Sequence, residues 1–264
     1  MFERFVVITV EKISHTYGRG TRAVEALNNI NATFSEGTTA LLGPNGSGKS
    51  TLMNIIGTTI IPTHGHVLFN GKPVNSSTVE EYRTQLGVVP QHITLPKRMR
   101  LRDILSYLCW VHKIPRSRTP PHAIAEVLER LELSPKANAR VGDLSGGQLR
   151  RAGFACALIH APSVLILDEP TVGLDPEVRM EMRHLIAELA TNTTILLSTH
   201  LLEDVRFLQP NVVMINRGQM VFTGSYNEFL AALPEDAGQQ ESSVEQAYQQ
   251  MLRTSATEKN MNRG

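Results

Sequence analysis

The sequence predicts an α/β fold built on a mainly parallel sheet, and three observations carry that expectation. Short β-rich runs recur along the chain, and several are continuous rather than alternating, as strands buried on both faces must be. A glycine-rich loop suited to phosphate lies between one such run and a helical segment. The middle of the chain, residues 95–161, carries helical patterns and no convincing strand, which marks an all-helical insertion.

Taken in order, strands are expected at 5–10, 38–42, 66–69, 86–89, 164–167, 194–198 and 212–215, each a run of aliphatic and β-branched residues. A helix opens at Lys49, directly after the glycine-rich loop. Within the insertion, helices are expected at 101–111, 121–131 and 146–159, punctuated by Pro115, Pro120 and Pro135. The first places Leu101, Ile104, Leu105 and Leu108 on one stripe facing the core. Pro176 suits the first position of a further helix and Leu201 opens another. Helices are also expected at 225–233 and 244–252, and the polar stretch 254–264 reads as frayed.

Composition excludes more than it names. With 26 Lys+Arg against 25 Asp+Glu, the net charge is +1, so the global charge gives nucleic acid no support as a partner. Cys109 and Cys156 are too few for a disulfide framework or a cysteine-based zinc site, which makes a reducing, cytosolic setting the default. Apolar runs such as 164–167 fall far short of the roughly 20 residues needed to span a bilayer. No apolar stretch near the start fits a signal peptide, so the mature chain is expected to begin near Met1.

Three motifs carry chemistry. Gly43-Pro44-Asn45-Gly46-Ser47-Gly48-Lys49-Ser50, followed by Thr51, satisfies the phosphate-loop pattern in the strand-loop-helix context it requires. Its backbone N–H groups and helix N-terminus suit phosphate oxygens, Lys49 suits the β and γ phosphates, and Ser50 offers an oxygen to Mg²⁺. The strand at 164–167 ends in Asp168 and Glu169, which a parallel sheet delivers to the edge where the phosphate loop sits. There Asp168 suits an outer contact to Mg²⁺ and Glu169 suits polarising an attacking water. Leu144-Ser145-Gly146-Gly147-Gln148 makes a second bare helix N-terminus with Ser145 as its cap. That stretch reads either as an ordinary capped start or as a second anion site completing another subunit's pocket.

Together these residues resemble the ATP-binding subunit of an ABC transporter. Gly173-Leu174-Asp175 and Ser198-Thr199-His200 fall in the family's order, and the resemblance runs from about Phe5 to Leu252. It implies a RecA-like P-loop NTPase core with antiparallel N-terminal strands, spanning residues 1–224, and a C-terminal helical extension and tail at 225–264. It also implies that Tyr17 stacks on adenine, that Gln91 reaches Mg²⁺ or the lytic water, and that His200 contacts the γ-phosphate. Asp175 would join Ser145, Gly146, Gly147 and Gln148 at the nucleotide. Read locally, Tyr17 also fits a core position at a strand end, while His200 and Asp175 also fit helix caps.

The cofactors implied are ATP and Mg²⁺. The partners implied are a second ATPase subunit, identical or not, and a separate transmembrane permease holding the chain at the cytoplasmic face of the membrane. The segments 172–176 and 242–248 look more like stand-alone antibiotic or bacteriocin export ATPases than sugar importers, and they favour export. The competing class is a soluble ABC-type ATPase of translation or DNA repair, but neither a tandem cassette nor a long coiled-coil insertion is present. A nucleotide kinase would explain the phosphate loop but not the second helix N-terminus.

Tyr107 and Trp110 fall opposite the apolar stripe of their helix, so they are expected at the surface as a docking face, unless a neighbouring helix covers them. Lys97, Arg98, Arg100 and Arg102 just ahead form a basic cluster that fits either anionic headgroups or a solvated loop.

Overall fold

The computed structural model describes residues 6–114, 120–231 and 244–252. Among these, two sheets stack. The smaller is antiparallel, in the order β2-β1-β4-β5, from Val24–Phe34, Ile8–Tyr17, His64–Phe69 and Lys72–Pro73. The larger has the order β10-β9-β3-β8-β7-β6, from Gln219–Gly224, Asn211–Asn216, Thr38–Leu42, Thr194–Ser198, Val164–Asp168 and Leu86–Val89. All its pairings are parallel except β9 with β10.

Burial explains the continuous apolar runs. Every residue of β3 and of β8 is buried, because one face of the sheet packs on the small sheet and the other on helices. On the first side, Phe34, Ile8 and Ile13 meet Leu41, Ile166 and Val213 across α1 (Lys49–Ile56). On the other, Leu165, Leu167 and Leu197 meet α3 (Leu101–Val111), α4 (Pro120–Arg130), α5 (Gly146–Leu158) and α6 (Pro176–Leu189). A third cluster seats Phe229 of α8 (Tyr226–Ala231) and Val244 and Ala247 of the helical stretch 244–252 against Ala40, Leu42 and Met214. The short helices α2 (Val79–Thr84) and α7 (Leu202–Leu208) complete the set.

Several strand limits move from their expected positions. The first runs Ile8–Tyr17 rather than 5–10, because its far half ladders onto both β2 and β4 through a bulge at Lys12, which has φ 51°. Phe5, residues 232–233 and 253–264, and the 242–243 start of the export-like ending lie outside the described residues. In α3, Leu101, Ile104, Leu105 and Cys109 are buried while Tyr107 is 58% and Trp110 75% exposed, which removes the alternative of a covering helix. Both cysteines lie on helices and neither is in a disulfide; Cys109 is buried, and burial pushes the Cys156 thiol up to about 12.

Candidate functional site

Four parallel strands end at one edge, and each delivers part of the site. Strand β3 runs into the phosphate loop, β6 into Pro90 and Gln91, β7 into Asp168 and Glu169, and β8 into Thr199 and His200. The cleft they enclose, about 260 Å³, is lined by Asn45, Gly46, Ser47, Gly48, Lys49, Ser50 and Thr51 facing Gln91, Asp168, Glu169 and His200.

The loop conformation needs its glycines. Gly43 has φ 148°, and a Cβ there would lie 2.1 Å from the Ile215 carbonyl oxygen; Gly48 has φ 111° and would meet Ala26 O at 2.6 Å. Gly48 opens α1 with no side-chain cap and no acid in the first turn, which leaves the helix N–H groups free to receive an anion. Lys49 is buried, and its Nζ donates to Gly43 O (2.6 Å) and Pro44 O (3.2 Å). Desolvation lowers its pKa, against the opposing attraction of Glu169 and Asp168.

The opposite wall is held by a connected set of polar contacts. Ser198 Oγ donates to Asp168 Oδ1 (2.5 Å) and accepts from the Glu169 amide (3.0 Å), so one hydroxyl spans both acids. Glu169 sits at φ 47°, a left-handed conformation that costs a non-glycine residue on the order of 1–3 kcal/mol. His200 Nδ1 lies 2.9 Å from Glu169 Oε1. Arg150, on the Ser145-capped helix α5 and 5% exposed, spreads its guanidinium over backbone carbonyls of both neighbouring loops. It donates to Pro90 (3.0 Å), Gln91 (2.9 Å), Asp168 (3.4 Å), Glu169 (2.7 Å) and Pro170 (2.8 Å). Burial lowers the Arg150 pKa, opposed by Asp168.

The residues present fit a magnesium nucleotide. Two of the cleft-lining residues, Ser47 and Glu169, each carry a buried side-chain oxygen, Oγ and Oε2, with no hydrogen-bond partner. Among the described residues no trio of His, Cys, Asp or Glu forms a metal cage. Mg²⁺ needs none, since it is commonly bound through one or two protein oxygens plus substrate phosphates and waters.

The remaining expected residues divide. Tyr17 ends β1 at 42% exposure, its hydroxyl 3.3 Å from Thr51 Oγ1, so its ring lies beside the loop rather than in the core. Ser145 caps α5 in a full capping box with Gln148, the Gln148 amide donating to Ser145 Oγ and the Ser145 amide to Gln148 Oε1. Yet none of Ser145, Gly146, Gly147 and Gln148 lines the cleft, and Ser145 and Gly146 face solvent. Asp175 stands at the N-cap of α6 without a side-chain cap bond, exposed and also outside the cleft. Sequence reasoning gave no role to Arg150 or the buried Asp204, which lie in none of the motifs, and none to Ser198 itself, which it noted only as the start of Ser198-Thr199-His200.

Comparison with known proteins shows the family. The profile of the ABC transporter family matches residues 27–172. The linearmycin resistance ATP-binding protein LnrL of Bacillus subtilis is 30% identical over 232 residues, covering 87% of this chain and 73% of LnrL. A Nod factor export ATP-binding protein I of Rhizobium meliloti is 37% identical, and the sulfate/thiosulfate import ATP-binding protein CysA of Thermosynechococcus vestitus is 34% identical. Each covers 83% of this chain, which spans only 64% of their length. Among solved structures, the dimeric ATP-binding cassette MJ0796, in a post-hydrolysis state with ADP and Pi, superposes with a TM-score of 0.73 at 26% identity. That match covers 83% of this chain and 98% of MJ0796.

Proposed function

Because the chain belongs to the ABC transporter family, we propose that it is the ATP-hydrolysing subunit of a transporter, pairing with a second ATPase subunit around two ATP molecules and driving a separate permease. One observation supports this reading above the others. The helix start at Ser145 is built, glycine-lined and exposed, yet it lies outside the chain's own cleft. A second subunit's nucleotide is the anion it would complete, and the MJ0796 cassette is itself dimeric.

Within the pocket, the phosphate loop and Lys49 would bind and orient the triphosphate, and Tyr17 would stack on the base. Glu169 would accept a proton from the attacking water, and His200, held at Glu169, would face the γ-phosphate. Mg²⁺, held by Ser50, Asp168 and Gln91, would supply charge neutralisation at the phosphate oxygens. Asp175 would approach the partner's nucleotide together with Ser145, Gly146, Gly147 and Gln148. No described helix is long and apolar enough to cross a membrane, so transport itself would fall to the permease, with this chain peripheral at its cytoplasmic face. Export is the direction we favour, on the Nod factor relatives and the 172–176 segment, although an importer stands among the relatives too.

The composite pocket is tested by mixing two inactive variants. Lys49→Ala damages the phosphate-loop half of each pocket and Ser145→Arg the half formed by the Ser145 helix start. Exchanged heterodimers then hold one intact pocket and hydrolysis returns, towards half the wild-type rate per heterodimer if the pockets act independently. Tagged chains that exchange yet recover no hydrolysis, even in a single turnover, overturn the shared pocket.

The Tyr107-Trp110 pair, with ring centroids 6.0 Å apart, is the face we propose for the permease. Trp110→Ala should leave basal ATP hydrolysis and the melting temperature near wild type while weakening co-purification with the membrane subunit. Unchanged assembly would move the interface elsewhere.

A further inference from the structure

Glu169 and His200 come from different strands, and the structure shows what holds their loops at one distance. Asp204 lies on α7, away from the cleft lining, with no exposed surface. Its Oδ2 accepts from Thr171 Oγ1 (2.5 Å) and from Thr199 Oγ1 (3.0 Å), and its Oδ1 accepts from Arg183 Nε (2.7 Å). Thr171 follows Glu169 by one intervening proline, and Thr199 immediately precedes His200. Both threonines are buried. We infer that Asp204 is a positioning residue that pins the Glu169 turn and the His200 loop to a single carboxylate oxygen and so sets the His200–Glu169 contact.

The chemistry of the clamp supports this. A hydroxyl has one hydrogen, and each threonine gives its hydrogen to Asp204, which fixes its rotamer. Thr199 Oγ1 also accepts from the Leu201 amide at 3.0 Å, so the backbone on the far side of His200 is tied to the same hydroxyl. The Glu169 turn needs such restraint, being held in the left-handed region. Arg183 pairs with Glu203 (3.0 Å) as well as Asp204, so the carboxylate is anchored from α6 as well as α7. On the opposite flank Ser198 joins Asp168 to the Glu169 amide, which leaves the pair restrained from both sides.

The inference rests on the reading of Glu169 as the hydrolytic base, and its test separates the two. Thr171→Val and Thr199→Val each remove one hydroxyl at nearly constant shape and leave the Asp204–Arg183 pair in place. Both should lower kcat about 10- to 100-fold through misplacement of the reacting groups. ATP affinity should stay within about twofold, since neither threonine lines the cleft. The ring ¹⁵N resonances of His200 should shift in both variants, a change that a general loss of stability would not produce in the folded protein. Thr199→Ser, which restores the hydroxyl, should recover both turnover and the His200 resonances. If both valine variants turn over normally while Glu169→Gln is inactive, the clamp is overturned and the base assignment stands. If Thr199→Ser is as slow as Thr199→Val, the hydroxyl bond is not the cause and the clamp is overturned as well. If Glu169→Gln itself turns over normally, the base assignment fails first and the clamp with it.

Discussion

Glu169→Gln is expected to bind ATP as the wild type does and to hydrolyse it about 10²- to 10⁴-fold more slowly, the range a positioned general base supplies. The argument is geometric. Glu169 lines the cleft with the phosphate-loop residues, its Oε1 engaged by His200 at 2.9 Å and its buried Oε2 without a partner, so one carboxylate oxygen is uncommitted. An amide keeps the size of the side chain and a contact to His200 but cannot take that proton. Because binding survives and turnover does not, the ATP-bound dimer should accumulate and elute as such on size exclusion. Phosphate release measured in a single turnover reads the chemical step directly, and a near-normal rate would place the base on another residue.

Lys49→Ala should have the opposite signature, abolishing binding rather than chemistry. Truncating one partner of a buried, hydrogen-bonded charge pair costs about 2–5 kcal/mol, roughly 30- to 5,000-fold in affinity. Without nucleotide the same change removes a desolvated cation held by Gly43 and Pro44 carbonyls, so the fold should survive it. The measurable consequence is a melting temperature that no longer rises with added ATP, where wild type rises by mass action. A variant that is still stabilised by ATP at low salt would show that the lysine charge is dispensable.

Much of this site was legible because phosphate chemistry writes itself into local patterns. The strands at 38–42, 86–89 and 194–198 and the helix at 101–111 stand where their residues place them, because continuous apolar runs and a clean stripe admit one burial pattern. The second strand, Val24–Phe34, escaped notice because only Leu27, Ile30, Ala32 and Phe34 are well buried, while Asn28, Asn29 and Asn31 face solvent. A left-handed Asn29 at φ 51° further breaks its alternation. The strand Gln219–Gly224 was hidden differently, since four of its residues are only half-buried and it is an edge strand. Arg150 and Asp204 were beyond sequence reasoning for another reason. Their acceptors and donors, such as Pro90, Glu169, Thr171 and Arg183, are distant in sequence, and only the parallel sheet gathers them.

The two native thiols carry a practical consequence. Cys109 is packed in the helical core, and burial pushes the Cys156 thiol up to about 12, well away from the thiolate form that reacts. Electrophilic labels will therefore find these sulfurs nearly inert in the folded state. A fluorophore or spin label attached to a cysteine introduced on the surface would report from one known point, and pairs of such points on two copies would measure how the subunits approach each other. A surface cysteine added for such a probe should react ahead of Cys109 and Cys156, so neither needs replacing first.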